Sequence, residues 1–167
     1  GKVDQVTMTQ SPPRFFDEYT DRKLLAKAVG LSEDQLLPDD LPAQVVSTAV
    51  PQLMVPARAL RHLDKIELDL VAMRNVLAET QTDSFMIFTR ECIHPESTVH
   101  SRMFAPTVGI VEDPATGSAS GALGAYLVHR GLVKAEPTAH IVVEQGYEMG
   151  RPSAIYVDVD SGEKGPF

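Results

Sequence analysis

Residues 112–131 read EDPATGSASGALGAYLVHRG, and this segment is the best guide to the architecture of the whole chain. An acidic pair leads through Pro114 into a Thr-Gly-Ser turn, and small and apolar residues follow as far as Gly131. The first N–H groups of a helix have no partner within the helix and lie at the positive end of its dipole. A carboxylate or phosphate can therefore be held there without Lys or Arg. The pattern predicts a helix over 118–130 whose N-terminus can bind an anion.

The composition of this helix predicts that strands surround it. Most of its faces carry little side chain because many of its residues are small, namely Ala119, Gly121, Ala122, Gly124 and Ala125. The alternative is that the turn only caps a helix, with Asp113 as the cap and Pro114 in the first turn. Two hydroxyls and a bare backbone are more than capping requires, and the helix is too apolar for a surface position. The segment is therefore a candidate binding site.

Two well-known functional motifs do not match this turn. A phosphate-binding P-loop needs a Lys after its second Gly, and Ala119 and Ser120 stand in that region. A nucleophile elbow needs Gly-x-Ser-x-Gly around Ser118, but Thr116 and Ser120 occupy the outer positions. Nucleotide binding and serine hydrolysis are thus poorly supported.

The length and composition are those of an ordinary globular chain. It has 167 residues, of which 43% are hydrophobic and 23% charged, which suits one domain spanning residues 1–167. A net charge of -8 without clustered Lys or Arg argues against a nucleic-acid partner. No apolar run approaches the length of a membrane span. We therefore expect a cytoplasmic protein that binds a small molecule.

The Cys and His residues of the sequence give little support for a disulfide or a metal site. Cys92 is the only cysteine, so no internal disulfide can form and a Cys-based zinc site is excluded. The five histidines lack metal-ligand spacing, so no metal site is predicted. Glu144 and Glu148 are interpreted as solvent-facing carboxylates. Asp113 differs, because the helix dipole and the N–H groups of the turn would stabilise its anion.

Local patterns predict an irregular mixture of strands and helices. The predicted strands are 3–10, 43–49, 52–56, 84–90, 98–104, 140–145 and 154–160. The predicted helices, besides 118–130, are 21–29, 32–37, 59–63 and 69–80. The acidic loop 38–42 is expected to be solvated. Because strands and helices do not alternate regularly, the fold class expected is mixed α+β, not a doubly wound parallel sheet.

The motif has a family resemblance. Glu-Asp-Pro-Ala-Thr-Gly-Ser-Ala at 112–119, preceded by Arg-Met-Phe-Ala-Pro at 102–106, resembles the signature of the phenazine-biosynthesis PhzF-like proteins, relatives of diaminopimelate epimerase. Further agreement lies at 8–15, 47–56 and 145–153 and covers essentially the whole chain.

The resemblance implies two similar halves, each a small β-barrel-like sheet around a central helix, with the active site between them. The chain resembles the second half, and 118–130 would be its central helix. It begins without Met and ends where another strand would ordinarily begin. The family's first half, with its catalytic glutamate, is missing. The expected partner is accordingly an N-terminal half domain or a second copy of the chain.

The resemblance also implies a chemistry, namely isomerisation or epimerisation by cofactor-free proton transfer at a carbon next to a carboxylate. Asp113 matches the active-site aspartate, and Thr116, expected to help bind the substrate, lies where the epimerases carry a catalytic cysteine. Gly117, Ser118 and Ala119 would offer N–H groups to the carboxylate of a small substrate. Thr116 cannot be the base, since a hydroxyl is too weakly acidic. The alternative is a non-catalytic small-molecule-binding or protein-interaction module that retains the fold.

Overall fold

The strands of the chain form one mixed sheet. The computed structural model describes residues 6–38 and 41–161. The strands are β1 (Arg14–Tyr19), β2 (Ala43–Ser47), β3 (Pro51–Pro56), β4 (Phe85–Thr89), β5 (Val99–Ala105), β6 (Ile110–Asp113), β7 (Thr138–Gln145) and β8 (Ser153–Asp160). The helices are α1 (Arg22–Val29), α2 (Leu60–Leu63), α3 (Leu70–Thr80) and α4 (Gly117–His129). The mixed α+β class is confirmed.

The sheet is open. Its strand order in the described residues is β1-β2-β3-β4-β5-β7-β8, with β6 paired to β5. The β3–β4 and β5–β7 pairs are parallel and the other pairs are antiparallel. Since β1 and β8 lie at the two ends of this order, the strands do not close into the barrel that the resemblance suggested. The β-barrel-like description is corrected to an open mixed sheet.

Apolar side chains fill both faces of the sheet. Leu25 of α1 and Met73 of α3 belong to the core on one face, and Leu123 and Tyr126 of α4 belong to the core on the other. Helix α4 contacts β2, β3, β7 and β8. Gly124 permits a close approach to the sheet, since a Cβ there would lie 2.9 Å from Cγ1 of Val157 on β8. The predicted burial of the small-residue helix is confirmed.

The ends of the helices follow from local chemistry. The Asp21 carboxylate accepts a hydrogen bond from Leu24 N at 2.8 Å, and Gly30 ends α1 in a left-handed conformation. Helix α3 is capped in the same way by Asp69. Leu70, the first residue of α3, is 43% exposed. The predicted helix 32–37 is reduced to a 3₁₀ turn, Glu33–Gln35.

Other predicted elements match closely. Strands 43–49 and 52–56 form the antiparallel β2–β3 hairpin, and 84–90 and 98–104 correspond to β4 and β5. The last two predicted strands are β7 and β8, and the predicted helix 59–63 is α2. Among the described helices, none has both the length and the apolar character to cross a bilayer.

The first predicted strand is wrong. Residues 6–10 are irregular, and residues 3–5 of that prediction lie outside the described part. The strand instead follows Pro13 as β1, whose acidic residues hid it from hydrophobic patterning. Strand β6 was also missed, because four residues are too few to show a period. In the loop predicted to be solvated, Leu41 is buried; residues 39–40 lie outside the described part.

Candidate functional site

Helix α4 begins without a side-chain cap. Thr116 is the N-cap residue, but its side chain makes no capping hydrogen bond. The first bond within the helix runs from Ser120 N to Thr116 O at 2.9 Å. The N–H groups of Gly117, Ser118 and Ala119 precede that bond. Ser118 is exposed and Ala119 is buried, so the polar end of a buried helix opens to solvent.

Asp113 lies beside this helix start. It ends β6, which pairs with β5 opposite Met103, and it is half-buried. Thr116 Oγ1 donates a hydrogen bond to Asp113 Oδ2 at 2.5 Å. Because the hydroxyl is directed at this carboxylate, it does not cap the helix. The turn therefore holds an oriented carboxylate next to uncapped N–H groups.

Gln145, at the end of β7, holds the same turn from the sheet. Its side chain is fully buried. Nε2 donates to Asp113 O at 2.5 Å and to Thr116 Oγ1 at 3.1 Å, and Oε1 accepts from Thr116 N at 3.1 Å. Sequence reasoning assigned no role to Gln145, although its position in a family-like segment, immediately before Gly146, was a usable signal.

A segment from the start of the chain crosses the helix N-terminus. Gln10 Nε2 donates to Gly117 O at 2.9 Å, and Gln10 Oε1 accepts from the hydroxyl of Thr48 in the β2–β3 connection. Met8 Cε lies 3.9 Å from the point where a Cβ of residue 117 would sit. The site is thus bordered by four parts of the chain, namely this segment, the β2–β3 connection, the β6–α4 turn and β7.

The structure brings the predicted site residues together. Asp113 and the helix start occupy one turn, as the sequence indicated. The hydroxyl of Thr116 bonds Asp113 and its N–H bonds Gln145, while the N–H groups of Gly117, Ser118 and Ala119 come before the first bond within the helix. The catalytic role of Asp113 and the binding roles of the other four stay predictions.

A buried charged cluster lies on the opposite face of the sheet. His100 Nδ1 is 2.9 Å from Glu144 Oε1, and His100 Nε2 is 2.8 Å from Glu148 Oε1. His100 and Glu144 are fully buried, and the side chain of Glu148 is 10% exposed. The interpretation of both glutamates as solvent-facing is wrong, because the loop between β4 and β5 covers Glu144, with Ile93 N donating to it at 2.5 Å, and Glu148 turns inward to the buried His100 ring.

This cluster shifts the pKa of each member toward its charged form. Burial opposes ionisation of His100, but hydrogen bonds to Glu148 and Glu144 outweigh it and raise the pKa of the imidazole. Burial likewise opposes ionisation of Glu144, but the N–H of Ile93 and the His100 ring lower its pKa. The pKa of Glu148 is lowered against burial chiefly by His100. The cluster therefore favours an imidazolium between two carboxylates.

A second ion pair fixes the strand that carries Asp113. Arg102 of β5 holds Glu112 through two bonds, Nε to Oε1 at 2.8 Å and Nη2 to Oε2 at 2.9 Å. Nη1 of the same guanidinium donates to Leu63 O at 2.6 Å. Such a two-pronged pair defines position as well as charge. Within residues 6–38 and 41–161, no cluster of three or more His, Cys, Asp or Glu could hold a metal ion.

The Cys92 thiol is predicted to react slowly. Burial, with the nearby Glu144 charge, raises its pKa from 9.0 to about 11. Since the thiolate is the reactive form, two pKa units should slow iodoacetamide alkylation at pH 8 on the order of 100-fold relative to the unfolded chain. Mass spectrometry of the folded protein and of a urea-unfolded control measures both rates. Rates within a few-fold of each other would show that the thiol is not shielded.

Known proteins resemble the chain over almost its full length. The profile of the PhzC-PhzF family, described as phenazine biosynthesis-like protein, matches residues 1–166. The uncharacterized isomerase YfhB of Bacillus subtilis (strain 168) is 34% identical over 161 residues, which are 96% of this chain and 53% of that protein. A trans-2,3-dihydro-3-hydroxyanthranilate isomerase of Pseudomonas fluorescens is 29% identical over 96% of this chain and 52% of its own length.

A solved structure agrees with this assignment. The Bacillus anthracis phenazine biosynthesis protein of the PhzF family superposes with a TM-score of 0.85 at 28% identity, covering 93% of this chain and 52% of that one. The uncharacterized isomerase YddE of Escherichia coli (strain K12) is 32% identical over 97% of this chain and 54% of its own length. The chain therefore belongs to the PhzC-PhzF family of phenazine biosynthesis-like proteins and spans about half the length of the curated relatives it matches.

Proposed function

We propose that this chain forms the carboxylate-binding half of an isomerase-type active site. The carboxylate of a small substrate would lie at the N–H groups of Gly117, Ser118 and Ala119, next to Asp113. The observation that carries the proposal is the oriented Asp113 carboxylate, held by Thr116 at 2.5 Å beside a helix start that no side chain caps. The names of the relatives support isomerisation as the reaction type.

The chemistry proposed is proton transfer at a carbon next to the substrate carboxylate. Negative charge develops on that carboxylate as the proton leaves, and N–H donors fixed in advance stabilise it. Asp113 orients a polar group of the substrate or takes part in moving the proton. Thr116 does neither directly, since its hydroxyl already bonds Asp113. The second proton-transfer group would come from the partner half.

The partner proposed is an N-terminal half domain or a second copy of the chain. The chain spans 53% of the relative YfhB. Exposed apolar side chains occur on three segments that reach the site: Val6 and Met8 before β1, Val50 between β2 and β3, and Ile110 and Val111 on β6. An apolar rim of this kind suits a docking face. Sedimentation as a clean monomer at high concentration would argue against a second copy.

The test uses a protein in which this chain is joined to its first half. Incubation in D₂O with small amino and hydroxy acids, and with trans-2,3-dihydro-3-hydroxyanthranilate because a relative is named for it, should incorporate deuterium next to the carboxylate. Asp113→Asn should slow incorporation by about 100-fold or more, as loss of a proton-transfer group does. Asp158→Asn is the matched control, because that carboxylate lies on exposed β8 surface.

Two outcomes would decide against parts of this proposal. Unchanged deuterium incorporation in Asp113→Asn would remove Asp113 from the mechanism. Carboxylate binding at Gly117 and Ser118, seen by amide chemical shifts, with no turnover of any tested acid would favour the non-catalytic binding module. The uncapped helix start supports this second function, because it could bind a carboxylate without any catalytic group.

A further inference from the structure

Gln145 is held rigidly at the base of the candidate site. It ends β7, where it is paired with Ser101 of β5 on one side and Ser153 of β8 on the other. The Ser153 hydroxyl contacts Gln145 O at 3.2 Å and Pro114 O at 2.9 Å. The side chain of Gln145 is fully buried. The sheet therefore fixes its backbone on both sides, and its side-chain amide reaches from there to the turn 113–116.

The hydrogen bonds of this amide allow one arrangement of protons. A side-chain NH₂ group can only donate and a carboxylate can only accept. Thr116 Oγ1 must therefore accept from Gln145 Nε2 at 3.1 Å and give its single hydrogen to Asp113 Oδ2 at 2.5 Å. A flipped amide would set Oε1 against Asp113 O and Nε2 against Thr116 N, two repulsive contacts, so the geometry selects the observed orientation.

The alternative position for the Thr116 hydroxyl matters for binding. A threonine at an N-cap ordinarily accepts a hydrogen bond from the second or third N–H of its helix, which here belong to Ser118 and Ala119. The Thr116 side chain makes no such bond, because its hydroxyl lies between Gln145 and Asp113. Whatever holds the hydroxyl there also keeps the helix N–H groups open.

We propose that Gln145 is a positioning residue of this site. Its amide directs the Thr116 hydroxyl to Asp113 and away from the start of α4, which leaves Ser118 N–H and Ala119 N–H to bind the substrate carboxylate. This inference rests on the proposed function for its catalytic meaning, while the effect on the hydroxyl is a property of the chain itself. Gln145 thus determines both the orientation of the Asp113 carboxylate and the availability of the Ser118 and Ala119 N–H groups.

Amide hydrogen exchange in the 167-residue chain tests this without any turnover. In Gln145→Leu the freed Thr116 hydroxyl should cap the helix, so exchange at Ser118 or Ala119 should slow by about tenfold, the value of one hydrogen bond, while exchange at Thr116 speeds up. Gln145→Met is the second variant, since methionine is close to glutamine in length and removes the amide without adding a charge to this buried position. It should give the same slowing if the leucine variant does not fold.

Two controls make the exchange result specific. Gln44→Leu removes another buried glutamine, which is bonded to Arg130 just beyond the other end of α4, and should leave exchange at Ser118 and Ala119 unchanged. Thr116→Val combined with Gln145→Leu removes the hydroxyl itself, so the slowing should disappear. Slowing that persists in this double variant, or no slowing in either Gln145 variant, would overturn the proposal.

Kinetics separate this inference from the proposed function. If the joined protein isomerises a carboxylate substrate, Gln145→Leu should raise KM and lower kcat, and Gln44→Leu should change neither. The absence of turnover in the parent protein would overturn the proposed function and leave the exchange test of Gln145 intact. Turnover with an unaltered KM and kcat in Gln145→Leu would overturn the positioning role alone.

Discussion

Gly146→Ala is expected to destabilise the protein by about 3 kcal/mol or more, the sum of left-handed strain and overpacking. Gly146 has φ +82°, and a Cβ there would meet Arg151 O and would lie 2.6 Å from Pro114 O. Both neighbours are backbone atoms, and Arg151 N also bonds Gly146 O at 2.9 Å. Neither can move without disturbing the β7–β8 connection or the turn that carries Asp113.

The matched control is Gly131→Ala. Gly131 has φ +69°, but no atom lies within 4 Å of its would-be Cβ. Only the conformational cost of about 1–2 kcal/mol should remain. Urea unfolding of both variants measures the difference. Equal losses of stability would show that the close approach of Pro114 and Arg151 is relieved by a small shift of the backbone.

His100→Leu is expected to lower the free energy of unfolding by about 3–5 kcal/mol, the usual cost of removing one partner of a buried charge pair. The substitution leaves the Glu144 and Glu148 carboxylates without the cation that lies between them at 2.9 and 2.8 Å. His140→Leu is the control, because the His140–Asp158 pair is 78% and 69% exposed. Such surface pairs contribute about 0–1 kcal/mol.

The contribution of this cluster should depend on pH in both directions. The pKa of His100 is raised above 6.5, so its contribution is complete below pH 6.5 and is lost as pH rises through the raised value. The pKa values of Glu144 and Glu148 lie below 4.5, so their contribution is complete above pH 4.5 and is lost as pH falls through the lowered values. The stability difference between the parent and His100→Leu should therefore be largest between pH 4.5 and 6.5. A difference that grows steadily toward pH 9 would contradict this assignment.

Helix positions were predictable because their signals are local. Asp21 and Gly30 bound α1 through contacts with residues three or four positions away, and such contacts can be read directly from the chain. The small residues of 118–130 indicate a buried helix for the same reason, since a helix without bulky side chains can pack on all sides. The helix start that the sequence predicts to bind an anion lies within the turn Thr116–Ser118, because that turn is encoded by neighbouring residues.

Strand surroundings were less predictable. From the sequence, Glu144 is interpreted as a solvent-facing carboxylate of a strand. That inference assumes a sheet with one wet face. At the Glu144 end of β7 both faces are covered, and the parallel register of β5 and β7 puts His100 beside Glu144, 44 residues away in sequence. The register between two strands that are distant in sequence cannot be predicted from the residues of either strand.

The sequence by itself therefore determined the family, the central helix, and the turn carrying Asp113, Thr116, Gly117, Ser118 and Ala119, because each depends on neighbouring residues or on a contiguous motif. The tertiary structure alone decided what holds that turn. Gln145 reaches Thr116 across 29 residues, and Gln10 reaches Gly117 across 107. Only the pairing of β7 with its neighbours and the packing of the segment before β1 on α4 create those contacts, so no local pattern could show them.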